Sequence, residues 1–481
     1  MPAAKRVRPL GASDQQMDKT KTKTPCGTDE IGDRLAAALA KCGYEVVKTD
    51  VPLRVHSHCA GMDAVAFSIK KLGLHAKVLV TECAPQCALF HMMHHSSKII
   101  EHIIMDIKCV AEGRQGPCFM HNGKMCTWGD DCDLLFSGFV CKPYSTQSNK
   151  RIKTMAVDVG SDPCGVDTYF HTRTIIAKYQ PRAFVLENVK GVDFKTLEGE
   201  PDAASKRKTT KISPADFMLG ELQEAGYEVK MVQVTATEVA NMCQSRPRML
   251  FFGVKHGESV NLDSVLRLFK RLGKEYSALR KTDKIDDFLD AGAWGSDDPG
   301  AGDNEEAEAE AEYATEFSQN LAKLEAVPKD LGAGRPSDSV PAETAKVRAR
   351  IDALAHFHPM HVEGCAETSG CDCHPLADVS QCVQRAHWHV DGSIPTLTTR
   401  TRLFSYKFRR FIAPSELAAS MGYRPRCSLA PFSPTGAATL VGNGYCVPVC
   451  ALALAAAASV VGSVGPKTKT GPSATPRPSK V

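Results

Sequence analysis

The sequence has no long apolar run. The nearest, the Ala-rich stretch from Cys450 to Val461, is shorter than the roughly 20 residues a bilayer-spanning helix needs, so no membrane partner is expected. No secretory signal is expected at the start, because Met1 to Arg8 is polar and basic with no apolar core behind it. No internal repeat sets up a solenoid or propeller. Charge of one sign is also scarce. A net charge of +4 over 481 residues gives no global positive field, so a nucleic-acid face must be local.

What remains describes a folded chain with tails. A hydrophobic content of 43% is ordinary for a packed protein, and the length suffices for one large domain and a smaller lobe. Nineteen cysteines without a secretory signal imply a reducing compartment, where most serve as small buried hydrophobes. Residues 1–30 are rich in Lys, Thr, Asp and Gln and should be a disordered basic tail. Within them Lys5-Arg6-Val7-Arg8-Pro9 reads as a nuclear import signal or as a solvated basic tail. Residues 463–481 form a second basic, Pro-rich tail, also expected to be disordered. Residues 296–313, with Glu305, Glu306, Glu308, Glu310 and Glu312, read as a flexible acidic insertion rather than a packed element.

Between the tails, short apolar segments alternate with helical ones. Strands are predicted at Val51–Val55, Lys77–Thr81, Ile103–Asp106, Cys132–Phe136, Ala183–Leu186, Glu228–Val234 and Met249–Val254. Helices are predicted at Ala64–Leu72, Ala84–His94 and Ala215–Ala225, with another ending over Ile175–Tyr179. This alternation predicts a doubly wound α/β fold, its sheet mostly parallel with helices on both faces. Ligands in such sheets sit beyond the carboxyl ends of the strands, so the chemistry belongs in the loops that follow them.

Those loops hold a consistent set of groups. After the first strand comes His56-Ser57-His58-Cys59-Ala60-Gly61-Met62-Asp63, a small-residue loop that lets backbone approach a ligand although it is no full GxGxxG. Glu82 ends the second strand, about twenty residues past that loop, where a carboxylate suits a ribose diol. Asp106 ends the third, placed to accept from an adenine amino group. Each acid alone is an ordinary turn residue; together they suggest a nucleoside cofactor. The fourth strand leads into Ser137-Gly138-Phe139-Val140-Cys141-Lys142-Pro143-Tyr144-Ser145, a Gly/Pro-bounded loop whose cysteine is a candidate nucleophile. The next strand ends in Leu186-Glu187-Asn188-Val189, placing an acid in the adjacent loop. Gln244-Ser245-Arg246-Pro247-Arg248 supplies two guanidinium groups that alternate in extended chain and so share a face.

A thiolate, an acid and paired arginines fit one reaction: thiolate addition to C6 of cytosine, which makes C5 nucleophilic, with Glu187 at ring N3 and the arginines holding the glutamate, the base oxygen and nearby phosphates. From Val51 to Ala453 the chain resembles the DNA cytosine-C5 methyltransferase family. Six motifs fall in family order, ending with Pro395-Thr396-Leu397-Thr398 and with Gly442-Asn443-Gly444 followed by Val447-Pro448. Three positions depart from the family: Cys59 stands for a Phe, Val140 for the Pro before the cysteine, and Lys142 for a Gln.

The resemblance implies a Rossmann-like class I fold that binds S-adenosylmethionine over residues 50–255. It implies a smaller target-recognition lobe over 256–438 and a C-terminal segment, 439–462, that returns to the catalytic domain. Catalytic roles are implied for Cys141, Glu187, Arg246 and Arg248. Cofactor roles are implied for Ala60, Gly61, Met62, Asp63, Glu82, Cys83, Asp106, Ile107, Asn443 and Gly444. The partner is duplex DNA with a flipped cytosine, and the compartment the nucleus. One branch of the family methylates tRNA and carries a Cys-Phe-Thr tripeptide in its variable region; none occurs between His256 and Val390. A second rival is a relative that keeps the fold only as a binding module. No metal is expected. The clusters Cys365, Cys371, Cys373, His374, Cys382 (with His356, His358 and His361) and Cys118, His121, Cys126, Cys132 match no standard zinc-finger spacing and read as reduced, unliganded groups.

Overall fold

The computed structural model describes residues 30–145, 167–195, 197–198, 211–279, 288, 305–324, 335–340, 344–357, 375–380, 383, 388–423 and 428–467. Helix α1 (Glu30–Lys41) and strand β1 (Tyr44–Val46) precede the alternating run of β2 (Leu53–His58), α2 (Ala64–Leu72), β3 (Ala76–Thr81), α3 (Pro85–His94), β4 (Ile100–Ile104) and α4 (Ile107–Glu112). A hairpin of β5 (Gly116–Pro117) and β6 (Met125–Cys126) leads to β7 (Leu134–Ser137), α5 (Asp167–Tyr179) and β8 (Ala183–Val189). A second small pair, β9 (Leu197–Glu198) and β10 (Lys211–Ile212), precedes α6 (Pro214–Glu224), β11 (Tyr227–Val234), α7 (Ala236–Ala240), β12 (Arg248–Lys255) and α8 (Leu262–Ala278).

The main sheet has seven strands in the order β11-β12-β8-β7-β2-β3-β4. Strands β4, β3, β2, β7 and β8 are parallel, while β12 runs antiparallel to both β8 and β11. The chain leaves β2 towards β3 and β4, then returns to β7 on the other side. That reversal is the switch point where a doubly wound sheet opens a crevice. The predicted strands and helices all occur. The first strand lies two to three residues later than expected, because Val51 is 76% exposed and stays outside the sheet. Both faces are covered. One core cluster joins the sheet to α1, α2 and α8 through residues such as Leu35, Phe67, Phe252 and Phe269, and the other joins it to α4, α5 and α6 through Val110, Ile176 and Leu222.

The small lobe follows, with α9 (Glu305–Leu324), α10 (Ala345–Phe357), β13 (Leu376–Asp378), β14 (Trp388–His389), β15 (Leu403–Ser405) and β16 (Arg410–Phe411). Among the described residues, its antiparallel strands, ordered β14-β13-β15-β16, and helices α9 and α10 surround Ile351, Leu354, Val379, Phe404 and Phe411.

The C-terminal segment completes the first core through α11 (Pro414–Ser420), α12 (Pro434–Asn443) and α13 (Val447–Ala458). Every residue of α13 is buried, as expected of a helix apolar all round. Its run of alanines lets α2 and α8 approach closely, and Ser68 on α2 donates to the Val447 carbonyl at 3.2 Å. The helical stretch Pro434–Ala458 is, by length and apolarity alone, enough for a membrane span, longer than the run read from the sequence. Its most apolar 18-residue window is 89% buried within the protein and serves as core.

Three expected boundaries are corrected. The acidic segment is helical from Glu305 onward, because Ala and Glu are strong helix formers. Its Tyr313 and Leu321 are buried, and the Tyr313 hydroxyl donates to Asp352 on α10 at 2.7 Å. Residues 296–304 lie outside the described residues. Helix α8 belongs to the main core although it falls past residue 255, because its apolar face, Leu268, Phe269 and Leu272, packs there. Val464–Pro466 is not tail: it forms β17, paired antiparallel with β1, Tyr44 opposite Pro466. The tails 1–29 and 468–481 lie outside the described residues. Twelve described cysteines carry free thiols, eight of them buried.

Ala453 is 0% exposed in α13. Ala453→Leu should therefore overpack the helix interface and cost about 1–3 kcal/mol, read as a lower midpoint in denaturant with an unchanged slope.

Candidate active site

The loop between β2 and α2 turns three times through left-handed backbone, at Cys59 (φ 51°), Gly61 (φ 54°) and Asp63 (φ 54°). Both polar groups of its central glycine are held. Gly61 N–H donates to Glu82 Oε2 at 2.8 Å, and the Gly61 carbonyl meets His91 Nε2 at 3.0 Å. A Cβ at Gly61 would lie 2.4 Å from the Asn443 carbonyl oxygen, so only glycine allows the β2–α2 loop and the end of α12 to touch.

Two residues expected to face a cofactor turn inward instead. Asp63 is 0% exposed; its carboxylate caps α2 by accepting from Ala66 N–H at 3.0 Å, and it sits 3.0 Å from His91 Nδ1 and 3.5 Å from His95 Nε2. Met62 is also 0% exposed and packs in the core. A short carboxylate next to a left-handed turn folds back onto the helix it starts, which leaves it anchoring the loop. Burial is the largest single influence and would raise the Asp63 pKa, but the charge and hydrogen bond of His91, the charge of His95 and the Ala66 N–H together hold the carboxyl below its usual range. Burial likewise opposes protonation of His91, yet Asp63 raises its pKa above the usual histidine value.

Glu82 is buried at the end of β3, one oxygen accepting from Gly61 N–H and the other from Ala84 N–H at 2.9 Å. Burial pushes its pKa up despite those two donors. Each carboxylate oxygen retains a lone pair for a further donor. Cys83, next in the chain, is exposed. Asp106 is exposed beyond β4, where it caps α4 by accepting from Lys108 N–H at 2.9 Å, with Ile107 half-buried beside it. Ala60 is half-buried and Asn443 exposed.

Cys141 is exposed in the loop after β7. That loop is tied down residue by residue: Gly138 N–H donates to the His58 carbonyl at 3.1 Å, and Val140 N–H to Thr168 Oγ1 at 3.1 Å. The amide nitrogens of Tyr144 and Ser145 both donate to the Cys141 carbonyl. Buried Asn188 reaches across from β8 and donates to the Phe139 carbonyl at 3.0 Å, so the residue after Glu187 fixes the cysteine loop. Beneath it the Phe139 ring meets Tyr144 edge to face and Tyr169 at a tilt. A Cβ at Gly138 would sit 3.4 Å from Glu187 Oε2, which puts the acid against this loop.

The two arginines divide. Arg248 Nε pairs with Glu187 Oε1 at 2.6 Å, as expected. Arg246 forms no ion pair with Glu187 among the described contacts and turns towards the C-terminal segment. It is 9% exposed and donates to the carbonyls of Gly444 at 2.6 Å and Gly442 at 3.0 Å, clamping the C-terminal segment. A planar guanidinium with its donors in a fork can engage two carbonyls of one loop, which explains the capture. Burial, then the like charge of Arg248, pulls the Arg246 pKa down to about 10. Gly442 in turn packs on Thr398 and Thr399, since a Cβ there would lie 2.3 Å from Thr399 N. Sequence reading missed His91, whose only signal was its place one helix turn before His95.

A family profile described as C-5 cytosine-specific DNA methylase matches residues 53–325, more than half of the chain. The chain belongs to that family. Its sheet is that of class I S-adenosylmethionine-dependent methyltransferases. Similar solved structures include the Dnmt2 methyltransferase of S. pombe (14% identity, 84% of this chain and 97% of that one, TM-score 0.42). They also include a putative DNA modification methyltransferase encoded within an E. coli prophage (14%, 85% and 99%, TM-score 0.47) and the Entamoeba histolytica methyltransferase EhMeth (10%, 86% and 99%, TM-score 0.42). No curated protein matches.

The Asp63–His91 pair gives this methyltransferase a two-sided pH dependence. His91, raised in the fold, stabilises fully below the unfolded value of about 6.5, and that contribution fades as pH rises through its folded pKa. Asp63, lowered in the fold, stabilises above the unfolded carboxyl value and loses that contribution as pH falls through its folded pKa. His91→Ala should strand a buried carboxylate, cost about 3–5 kcal/mol near pH 6, and flatten the alkaline limb, as thermal melts across pH will read.

Proposed function

We propose that this chain transfers a methyl group from S-adenosylmethionine to C5 of cytosine in DNA, with Cys141 as covalent nucleophile. The observation that carries this reading is the convergence of the Cys141 loop, Glu187 and Arg248 at the carboxyl ends of β7 and β8, beside the Gly61 loop. The cofactor residues fit such a ligand: Glu82 is buried with spare acceptor capacity for ribose hydroxyls, and Asp106 lies exposed one strand further for an adenine amino group. Backbone at Gly61, Asn443 and Gly444 would line the rest. S-adenosylmethionine, when bound, supplies an electrophilic sulfonium methyl group.

The chain's own groups do the remainder. The Cys141 thiolate adds to C6, which moves an electron pair to C5, while Glu187 in its acid form donates its proton towards ring N3 and stabilises the ring as charge develops. After methylation solvent water takes the C5 proton, the C5–H electron pair re-forms the C5–C6 double bond, and the C6–S bond breaks to restore the thiolate. Arg248 keeps the Glu187 carboxyl oriented. Arg246 acts at a distance by holding Gly442 and Gly444 against the cofactor loop. The cytosine is unreachable in a duplex and must be flipped out. DNA is preferred to tRNA as substrate because the region from His256 to Val390 has no Cys-Phe-Thr tripeptide. The same proposal places the reaction in the nucleus, on the basic run Lys5 to Pro9, which lies outside the described residues.

Three experiments test this. DNA carrying 5-fluorocytosine should give a denaturation-resistant complex with the wild-type chain and cofactor, because fluorine does not leave C5 as a proton does. Cys141→Ser should give none, and an undiminished adduct from that variant excludes Cys141 as nucleophile. Labelled methyl transfer to DNA and to tRNA, side by side, decides the substrate. Glu187→Gln should slow single turnover by roughly 10²–10⁴-fold with DNA affinity little changed, since phosphate contacts elsewhere supply most of that affinity. A variant that melts early and no longer binds DNA would make Glu187 a structural partner of Arg248.

A further inference from the structure

Four nitrogen and sulfur donors outside the active site converge on one point. His102 on β4 faces Cys118, His121 and Cys126 of the β5–β6 hairpin, and one ligand atom from each lies within 4.8 Å of all the others. Cys118 Sγ is 3.8 Å from His102 Nδ1, and Cys126 Sγ is 3.2 Å from His121 Nδ1. A tetrahedral zinc ion, with bonds of roughly 2.3 Å to sulfur and 2.0–2.1 Å to nitrogen, sets its ligand atoms roughly 3.3–3.8 Å apart. The four side chains need only small rotations to meet that geometry.

The backbone is shaped for it. Cys118 and His121 bracket a single 3₁₀ turn, and the chain then reverses through left-handed Asn122 (φ 55°) and Gly123 (φ 77°). Both His121 N–H and Gly123 N–H donate to the Cys118 carbonyl, at 3.3 and 2.8 Å, while Cys118 N–H donates to the Lys124 carbonyl at 3.0 Å. This knuckle presents two ligands from one side, and β6 brings Cys126 back beside them. The fourth ligand comes from the edge strand of the main sheet, to which the hairpin is bridged antiparallel at Ile104 and Cys118. Cys132, grouped with these cysteines in the sequence, stands apart and donates to the Leu134 carbonyl.

We propose that His102, Cys118, His121 and Cys126 form a structural zinc site. Two thiolates and two imidazoles in tetrahedral array favour zinc over the harder cations, and four protein ligands leave no open position for a catalytic water. The ion would staple the hairpin to the free edge of the sheet. Met105 N–H already donates to the Pro117 carbonyl at 3.1 Å, so the staple braces the chain directly before Asp106. The proposal does not depend on the methyl-transfer chemistry.

The test uses the full chain, purified under reductant with any affinity tag removed and loaded with stoichiometric zinc. Elemental analysis should find one bound equivalent that Cys118→Ser/Cys126→Ser and His121→Ala lose and Cys132→Ser keeps. His121 is exposed, so its variant reports on the site without risk to the core. Cobalt loading should give the intense absorption of tetrahedral thiolate coordination in wild type and in Cys365→Ser/Cys371→Ser, and not in the His121 variant. Chelation should lower the melting temperature of the wild type and of the variants that keep the metal, and leave His121→Ala and Cys118→Ser/Cys126→Ser unchanged. Equal metal content in wild type and Cys118→Ser/Cys126→Ser, an octahedral cobalt spectrum, or a Cys118–Cys126 disulfide in the reduced preparation would overturn the assignment.

Discussion

Gly61 is gripped from three sides, and the site depends on that grip. Its N–H is held by Glu82 from β3, its carbonyl by His91 from α3, and the space of its missing side chain by the Asn443 carbonyl from α12. Glycine is required by the close approach, which leaves no room for a Cβ, and it also adopts the left-handed φ at least cost. The partners are fixed in turn. Glu82 is set by its own strand end and Ala84, His91 by buried Asp63, and Asn443 by the Arg246 clamp on its two neighbours. Elements from the first and last thirds of the chain thus meet at one residue.

A similar logic ties the nucleophile to its acid. Asn188 lies near the end of the strand that carries Glu187 and binds the carbonyl of Phe139, two residues before Cys141. Any shift of β8 moves acid and cysteine loop together. The loop loses the stiffness of a proline at Val140, but its N–H gains a bond to Thr168 that a proline could not make. The departure from the family pattern is therefore matched by a local anchor.

Much of this was legible in the sequence, and the limits are physical. Period and composition locate β2, β3, β4, β7, β8, β11 and β12 with helices α2, α3, α5 and α6, because each strand is a short apolar run closed by polar loop residues, whereas the two-residue strands β5 and β6 are too short to show a period. The motifs place Glu82, Cys141, Glu187 and Arg248 at or just beyond strand ends. What the sequence hides is partnership. Nothing near Arg246 announces that its acceptors are carbonyls some two hundred residues away, nor does Asp63 announce His91. His102 escaped grouping with Cys118 because it sits on a strand rather than in the cysteine-bearing hairpin. The acidic segment misled through its charge, although Tyr313, Phe317 and Leu321 repeat every four residues, the stripe of a helix that packs.

The pairing of β1 with β17 has a consequence for how the chain comes to be folded. Tyr44–Val46 waits for Val464–Pro466, and the first core closes only around α13. A ribosome releases Val464–Pro466 some four hundred residues after Tyr44–Val46, so this core is completed only long after its first strand has emerged. Such long-range closure makes for slow folding and a long interval with apolar helices uncovered. It also leaves the two ends of the domain side by side, the arrangement in which a chain tolerates being joined end to end and opened elsewhere.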